Sequence, residues 1–138
     1  MRTLILYSLF SLLLFKAKAQ QLENSSWKID KVIGNVNDTF DEYHLYKYDT
    51  SEQWQYENFI KFTESGFTSY YSAPCGNDCF PSSSGNFKKI SENQVELTIL
   101  TFDQHGDCQN VSYKMKISTT YQIIQSSETE IHLKKIPK

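Results

Sequence analysis

From Val111 to Ile123 the chain alternates without a break. Val111, Tyr113, Met115, Ile117, Thr119, Tyr121 and Ile123 hold the odd positions, and Ser112, Lys114, Lys116, Ser118, Thr120 and Gln122 the even ones. Successive side chains of a strand point to opposite faces, whereas a helix returns to the same face about every 3.6 residues. This run therefore demands one long strand with a face toward a core and a face toward water. It also makes an all-helical fold untenable.

The same period recurs along the chain. Val95, Leu97 and Ile99 alternate with Glu96 and Thr98, Ile131 and Leu133 with Glu130, His132 and Lys134, and Trp27 and Ile29 with Lys28 and Asp30. Turn formers separate the runs: Glu64-Ser65-Gly66, Ser91-Glu92-Asn93 and Ser126-Ser127-Glu128. The first reads as a tight hairpin in which glycine supplies a positive φ. Eight strands follow, over 26–33, 43–48, 58–63, 67–72, 86–90, 94–102, 111–123 and 129–136. No segment of ten residues carries a helical stripe. Short strands at hairpin spacing read as an antiparallel barrel or sandwich, and the expectation is an all-β, single antiparallel up-and-down eight-stranded barrel.

The chain has 138 residues, but the first 19 look like a different object. Arg2 precedes an apolar run from Leu4 to Phe15, and Ala17-Lys18-Ala19 offers small residues where a signal peptidase reads. Twelve apolar residues of helix rise only about 18 Å, short of a hydrocarbon core of roughly 30 Å. Residues 1–19 are thus expected to be a cleaved signal peptide and residues 20–138 one barrel domain, secreted or periplasmic, with no membrane span. Of 14 basic residues three lie in the leader, and none of the 16 acidic ones do, so the remaining 119 residues carry a net charge of −5. They contain no arginine. A nucleic-acid-binding face is not expected from such a balance, and one hydrophobic core is what this length supports.

The pattern resembles a known group. Ser26-Trp27-Lys28-Ile29 opens the first strand; Phe59-Ile60-Lys61-Phe62-Thr63-Glu64-Ser65-Gly66-Phe67-Thr68 forms a hairpin; Gly85-Asn86-Phe87-Lys88-Lys89-Ile90 and Gln94-Val95-Glu96-Leu97 follow. Together these resemble the small secreted lipocalin-like domains of bacterial proteins, within the calycin group. The resemblance implies a barrel that binds a ligand or a partner without catalysis. The chain is also similar to META-type domains, which share a Trp-first β-rich pattern, though its Cys75-Gly76-Asn77 differs in order from their Gly-Cys-Asn element.

Three cysteines, Cys75, Cys79 and Cys108, lie beyond the leader, where an oxidising compartment favours bridging. In up-and-down order the loop holding Cys75 and Cys79 and the loop holding Cys108 share one barrel end. The candidates are Cys75–Cys108, Cys79–Cys108 and a local Cys75–Cys79 bridge. An inter-loop bridge closes a longer loop and is worth about 3–4 kcal/mol in the chain-entropy model, so it is favoured, with the partner of Cys108 left open. The same end gathers Asp49, Glu52, Asp78, Asp103, His105 and Asp107. One histidine with a bridged thiolate is a poor zinc inventory, and a solvated acidic loop is the expectation. His44, His105 and His132 stand apart in the sequence, and no serine sits in a Gly-x-Ser-x-Gly turn. No catalytic residue, metal or cofactor is expected.

The aromatic supply carries more weight. Trp27, Phe62, Tyr71, Tyr113 and Tyr121 are expected to point into the barrel and, if it holds a cavity, to line a site for a small apolar ligand. That ligand would enter at the end carrying residues 34–42. An eight-stranded barrel is either filled by its own side chains or holds one small molecule, and filling is favoured in a chain this short and this rich in large rings. The alternative is a protein-interaction module that uses the aromatic Tyr43–Tyr56 segment, with Tyr46, Tyr48 and Trp54 as anchors.

Overall fold

The computed structural model of the chain describes residues 18–35, 40–49, 51 and 56–138. Among the described residues a short helix, α1 (Lys18–Leu22), precedes eight strands: β1 (Ser26–Ile29), β2 (Glu42–Tyr46), β3 (Glu57–Phe62), β4 (Gly66–Ser72), β5 (Cys79–Ser91), β6 (Gln94–Gly106), β7 (Val111–Gln125) and β8 (Glu130–Lys135). They close into a single antiparallel barrel. The architecture is compatible with a lipocalin-like fold. The leader core Leu4–Phe15 and Trp54 lie outside the described residues.

From β3 to β8 each strand pairs with the next in sequence, as an up-and-down meander. The ring closes through the first hairpin with its two strands exchanged: β1 lies beside β3, and β2 lies beside β8. This exchange corrects one expectation. Because β1 is antiparallel to β3, it runs in the direction of β4 and β6, so the β1–β2, β4–β5 and β6–β7 connections share one end of the barrel. A plain up-and-down order from β1 to β8 would place the 34–42 segment and the cysteine loops at opposite ends.

The two-residue period places the core as expected. Trp27 and Ile29 of β1, Tyr43 and Leu45 of β2, Val95, Leu97 and Ile99 of β6, Tyr121 and Ile123 of β7, and Ile131 and Leu133 of β8 are all buried. The hairpin at Glu64-Ser65 forms, with the Thr63 amide donating to the Gly66 carbonyl over 2.9 Å. Its glycine is not needed for a positive φ, which occurs instead at Gly34 and Gly106 among the described glycines. A Cβ on Gly66 would lie 3.2 Å from the Gly85 carbonyl oxygen, so spacing is the constraint there.

Three boundaries differ from the sequence reading by four residues or more, the end of β6 at Gly106 among them. β1 stops at Ile29; after the exposed Asp30 and half-buried Lys31 the chain turns inward at Val32 and Ile33. β5 begins at Cys79, seven positions before the expected Asn86, because the non-alternating Phe80-Pro81-Ser82-Ser83-Ser84 stretch pairs with Thr101–His105 of β6. Pro81 sits just beyond the residues of β5 that pair with β4. Its missing N–H therefore leaves no bond of that ladder unmade.

Candidate functional site

Both ends of the barrel interior are occupied by the chain itself. At the end shared by the β1–β2 and cysteine-bearing connections, Val32 and Ile33 fold inward and are buried. The Ile33 amide donates to the Ser69 hydroxyl over 3.2 Å, and the Ser83 hydroxyl donates to the Ile33 carbonyl. Ser69 and Ser83 face each other across β4 and β5 and are almost fully buried. Buried hydroxyls need partners, and the inserted backbone provides them. Gly34 follows at φ +93°, where a Cβ would come within 3.1 Å of Ile99, so glycine suits both the turn and the space. At the opposite end, Ala19 and Leu22 of α1 join the core cluster, and the Ala19 amide donates to the Glu92 carbonyl. Trp27 Nε1 donates to Ser25 Oγ over 2.7 Å, and Ser25 in turn donates to the Leu22 carbonyl, tying α1 to β1.

The five residues expected to line the interior divide into two groups. Trp27, Phe62 and Tyr121 belong to the packed core: Phe62 meets Phe87 at 5.2 Å between ring centres, and Tyr121 meets Tyr43 edge-on at 6.0 Å. Burial raises the Tyr121 pKa. Tyr71 stands at the mouth, its hydroxyl donating to Asp78 Oδ2 over 2.8 Å. That bond pushes its pKa up to about 12, because ionisation would place two anions together. Tyr113 lies above the rim and is 43% exposed.

Of the cysteine pairings left open, the structure has Cys79–Cys108, with Cα atoms 5.4 Å apart, while Cys75 is an exposed free thiol. The bridge joins the loops that the sequence placed together. Of the acidic residues expected at this end, Asp78 accepts from Tyr71, Asp103 from Ser112, and Asp49 from the Ser51 amide, while Glu52 lies outside the described residues. His105 stacks on Phe80 at 5.6 Å. In the aromatic Tyr43–Tyr56 segment, Tyr43 is buried, Tyr48 packs on Phe59 at 5.2 Å, and Tyr46 and Tyr56 are exposed.

Two surface features emerge that sequence reading did not single out. The first follows from unequal strand lengths. β7 has 15 residues, of which Tyr121–Gln125 pair with β8. Among the described residues no strand pairs with Val111–Thr119 on the side away from β6, so this stretch leaves a β-edge open. Below it the Ile136 amide donates to the Thr120 carbonyl. Here lies a groove of about 840 Å³, lined by Ile117, Thr119, Lys134, Lys135 and Lys138, among others, with Asp41 its only acidic wall. Lys114 and Lys116 are exposed on the edge strand, and Ile117 is 48% exposed.

The second feature lies on β2 and β8. Their register sets His44 opposite His132, with ring centres 3.9 Å apart. Glu42 and Glu130, each two positions away in its own strand, share the same face. His132 Nδ1 lies 2.9 Å from Glu42 Oε1, and its Nε2 lies 2.7 Å from Glu130 Oε1. His44 turns Nδ1 toward Glu130 at 3.5 Å and Nε2 toward Glu42 at 3.8 Å. The bond from His132 leads the causes holding the Glu130 carboxyl below its usual pKa. The histidines stand apart in sequence but adjacent in space. A signal was present in the repeated Glu-x-His of Glu42-x-His44 and Glu130-x-His132; what it lacked was the β2–β8 pairing.

Comparison with protein-family models, with curated proteins and with solved structures gives no match.

Proposed function

We propose that the protein is an exported, non-catalytic binding module whose recognition surface is the open edge of β7, and that it takes an extended acidic peptide as an added antiparallel strand. One observation carries this reading: a β-edge nine residues long stands beside a groove with several lysines and one acidic residue. Unpaired strand edges are templates for another chain. In β-augmentation, backbone bonds supply affinity and alternate side chains supply specificity. Lys114 and Lys116 make self-pairing of two such edges repulsive and favour a partner with carboxylates at alternate positions. Export rests on the apolar leader and fits the Cys79–Cys108 bridge.

The small-apolar-ligand reading loses support where Ile33 fills one end of the interior and Leu22, which loss of the leader retains, is buried at the other. The exposed Tyr113, with Ile117 beside the groove, keeps an apolar component in the surface reading. The test uses a labelled nine-residue peptide of alternating glutamate and valine, followed by fluorescence anisotropy at low salt. Saturable binding is expected, weakening as salt rises and falling about tenfold, or roughly 1.4 kcal/mol, in the Lys114→Glu/Lys116→Glu variant. Methylating alternate peptide amides must abolish it, since the ladder needs those donors. Equal binding by the methylated peptide would overturn strand addition. A panel of apolar molecules that raises the melting temperature without competing with the peptide would restore the interior reading.

A further inference from the structure

We propose that Glu42, His44 and His132 form a binding site for a divalent transition-metal cation, zinc above all, on the outer face of the β2–β8 pair, with Glu130 orienting both histidines. The site adjoins the groove through Lys134, the register partner of Glu42, but does not rest on the peptide-binding reading. Its argument starts from strand geometry. Residues two apart in a strand share a face, and antiparallel partners directly opposite approach within about 5.5 Å. Two Glu-x-His segments paired through their histidines therefore gather four ligand-type side chains on one patch of sheet. The sheet itself is the scaffold, so the positions are held by backbone bonds and not by a loop.

The ring nitrogens sort themselves into two sets. His132 Nδ1 and His44 Nε2 face Glu42 Oε1, at 2.9 and 3.8 Å. His132 Nε2 and His44 Nδ1 face Glu130 Oε1, at 2.7 and 3.5 Å. Zinc binds imidazole nitrogen and carboxylate oxygen at about 2.0–2.1 Å. Tetrahedral ligands around it then stand roughly 3.3–3.4 Å apart, a spacing that the two distances to Glu42 bracket. All three ligand atoms already lie within 4.8 Å of one another. Side-chain shifts of no more than about 1.5 Å would complete the triangle.

Glu130 then acts on the other side of both rings. A metal-bound histidine usually donates its second N–H to a carboxylate, which fixes the tautomer and strengthens the ligand. Glu130 is placed to accept from both His132 Nε2 and His44 Nδ1, which leaves the nitrogens facing Glu42 free to bind. Two histidines and one carboxylate leave the fourth position of a tetrahedral ion open. The patch is partly exposed, with the His132 side chain at 20% and that of Glu42 at 37%. A water or a donor from another molecule can reach that position.

The test is calorimetric titration of the full chain, disulfide intact, with zinc, followed by cobalt substitution. One zinc per chain is expected. His132→Gln and His44→Gln should each weaken binding at least a hundredfold, and Glu130→Gln about 10- to 100-fold, the range for loss of an orienting partner. Cys75→Ser must leave binding unchanged, since the free thiol is the competing ligand. The cobalt form should show tetrahedral visible bands without thiolate-to-metal absorption. Melting temperatures without metal show which variants fold; where a histidine variant does not, Glu42→Gln supplies the same loss. Absence of binding overturns the proposal, as does zinc that survives His132→Gln or disappears with Cys75→Ser.

Discussion

The lower barrel and the upper overhang are built from the same alternating strands, yet they spend their apolar face differently. Below, around Trp27, Leu45, Leu97, Ile123 and Leu133, the paired strands close into a ring around one buried cluster, and α1 lies at the end. Above, β5 outruns β4 and β7 outruns β8, with β6 paired between them, and the apolar face of β7 reaches solvent at Tyr113 and Ile117. Alternation thus dictates which side chains share a face, but the lengths of neighbouring strands dictate whether that face is buried. A closed ring removes edges only as far as its shortest strands reach.

Substitutions can break or sharpen this contrast. The largest effect is expected in the lower barrel: Trp27→Ala empties a buried site and removes the donor to Ser25, costing about 3–5 kcal/mol, read from chemical denaturation. Close to it comes removal of the bridge. Cys79→Ser with Cys108→Ser frees a loop spanning 29 positions, worth about 3–4 kcal/mol in the chain-entropy model. Hydrogen exchange should quicken most in residues 79–84 and 101–110 while Val95 and Leu133 remain protected. Uniform loss of protection would mean that overhang and barrel form one cooperative unit.

A titration separates the regions more finely. The folded-state pKa of Tyr71 is raised to about 12 against an ordinary 10, so its protonated form is favoured by the fold. That contribution is complete below pH 10 and is lost as pH rises through 12. Ultraviolet titration should show late-ionising tyrosines with Tyr71 among them, and Asp78→Asn should bring Tyr71 back toward 10 without touching Tyr121. The smallest effect belongs to the exposed strand, where Ile117→Ala should change stability by no more than about 0.5 kcal/mol. A loss of 2 kcal/mol there would show that Ile117 is covered.

Much of the fold was legible because period two is a local property. β7 and the buried sets of β1, β6 and β8 follow from alternation alone, and the proximity of the cysteine loops follows from antiparallel order. Three things were not legible. The first half of β5 has no alternation, since Pro81-Ser82-Ser83-Ser84 is held by its partner strand and by the Ser83 bond to Ile33. The inward turn at Ile33-Gly34 depends on two buried serines that no pattern marks as interior. The pairing of β2 with β8 is a contact between distant segments, and with it went the His44–His132 cluster.

That same pairing governs when the molecule can be finished. Leu45 and Ile131 are register partners although 86 positions separate them. The meander from β3 to β8 assembles from neighbouring hairpins, whereas β2 has no partner on that side until the last strand exists. A chain emerging amino-terminus first carries its second strand unsatisfied until Glu130–Lys135 has been made. Distant pairing of this kind slows closure, and a chain cut after Gln125 would leave both β2 and the lower part of β7 with open edges. Completion of the fold is thereby tied to arrival of the final six-residue strand.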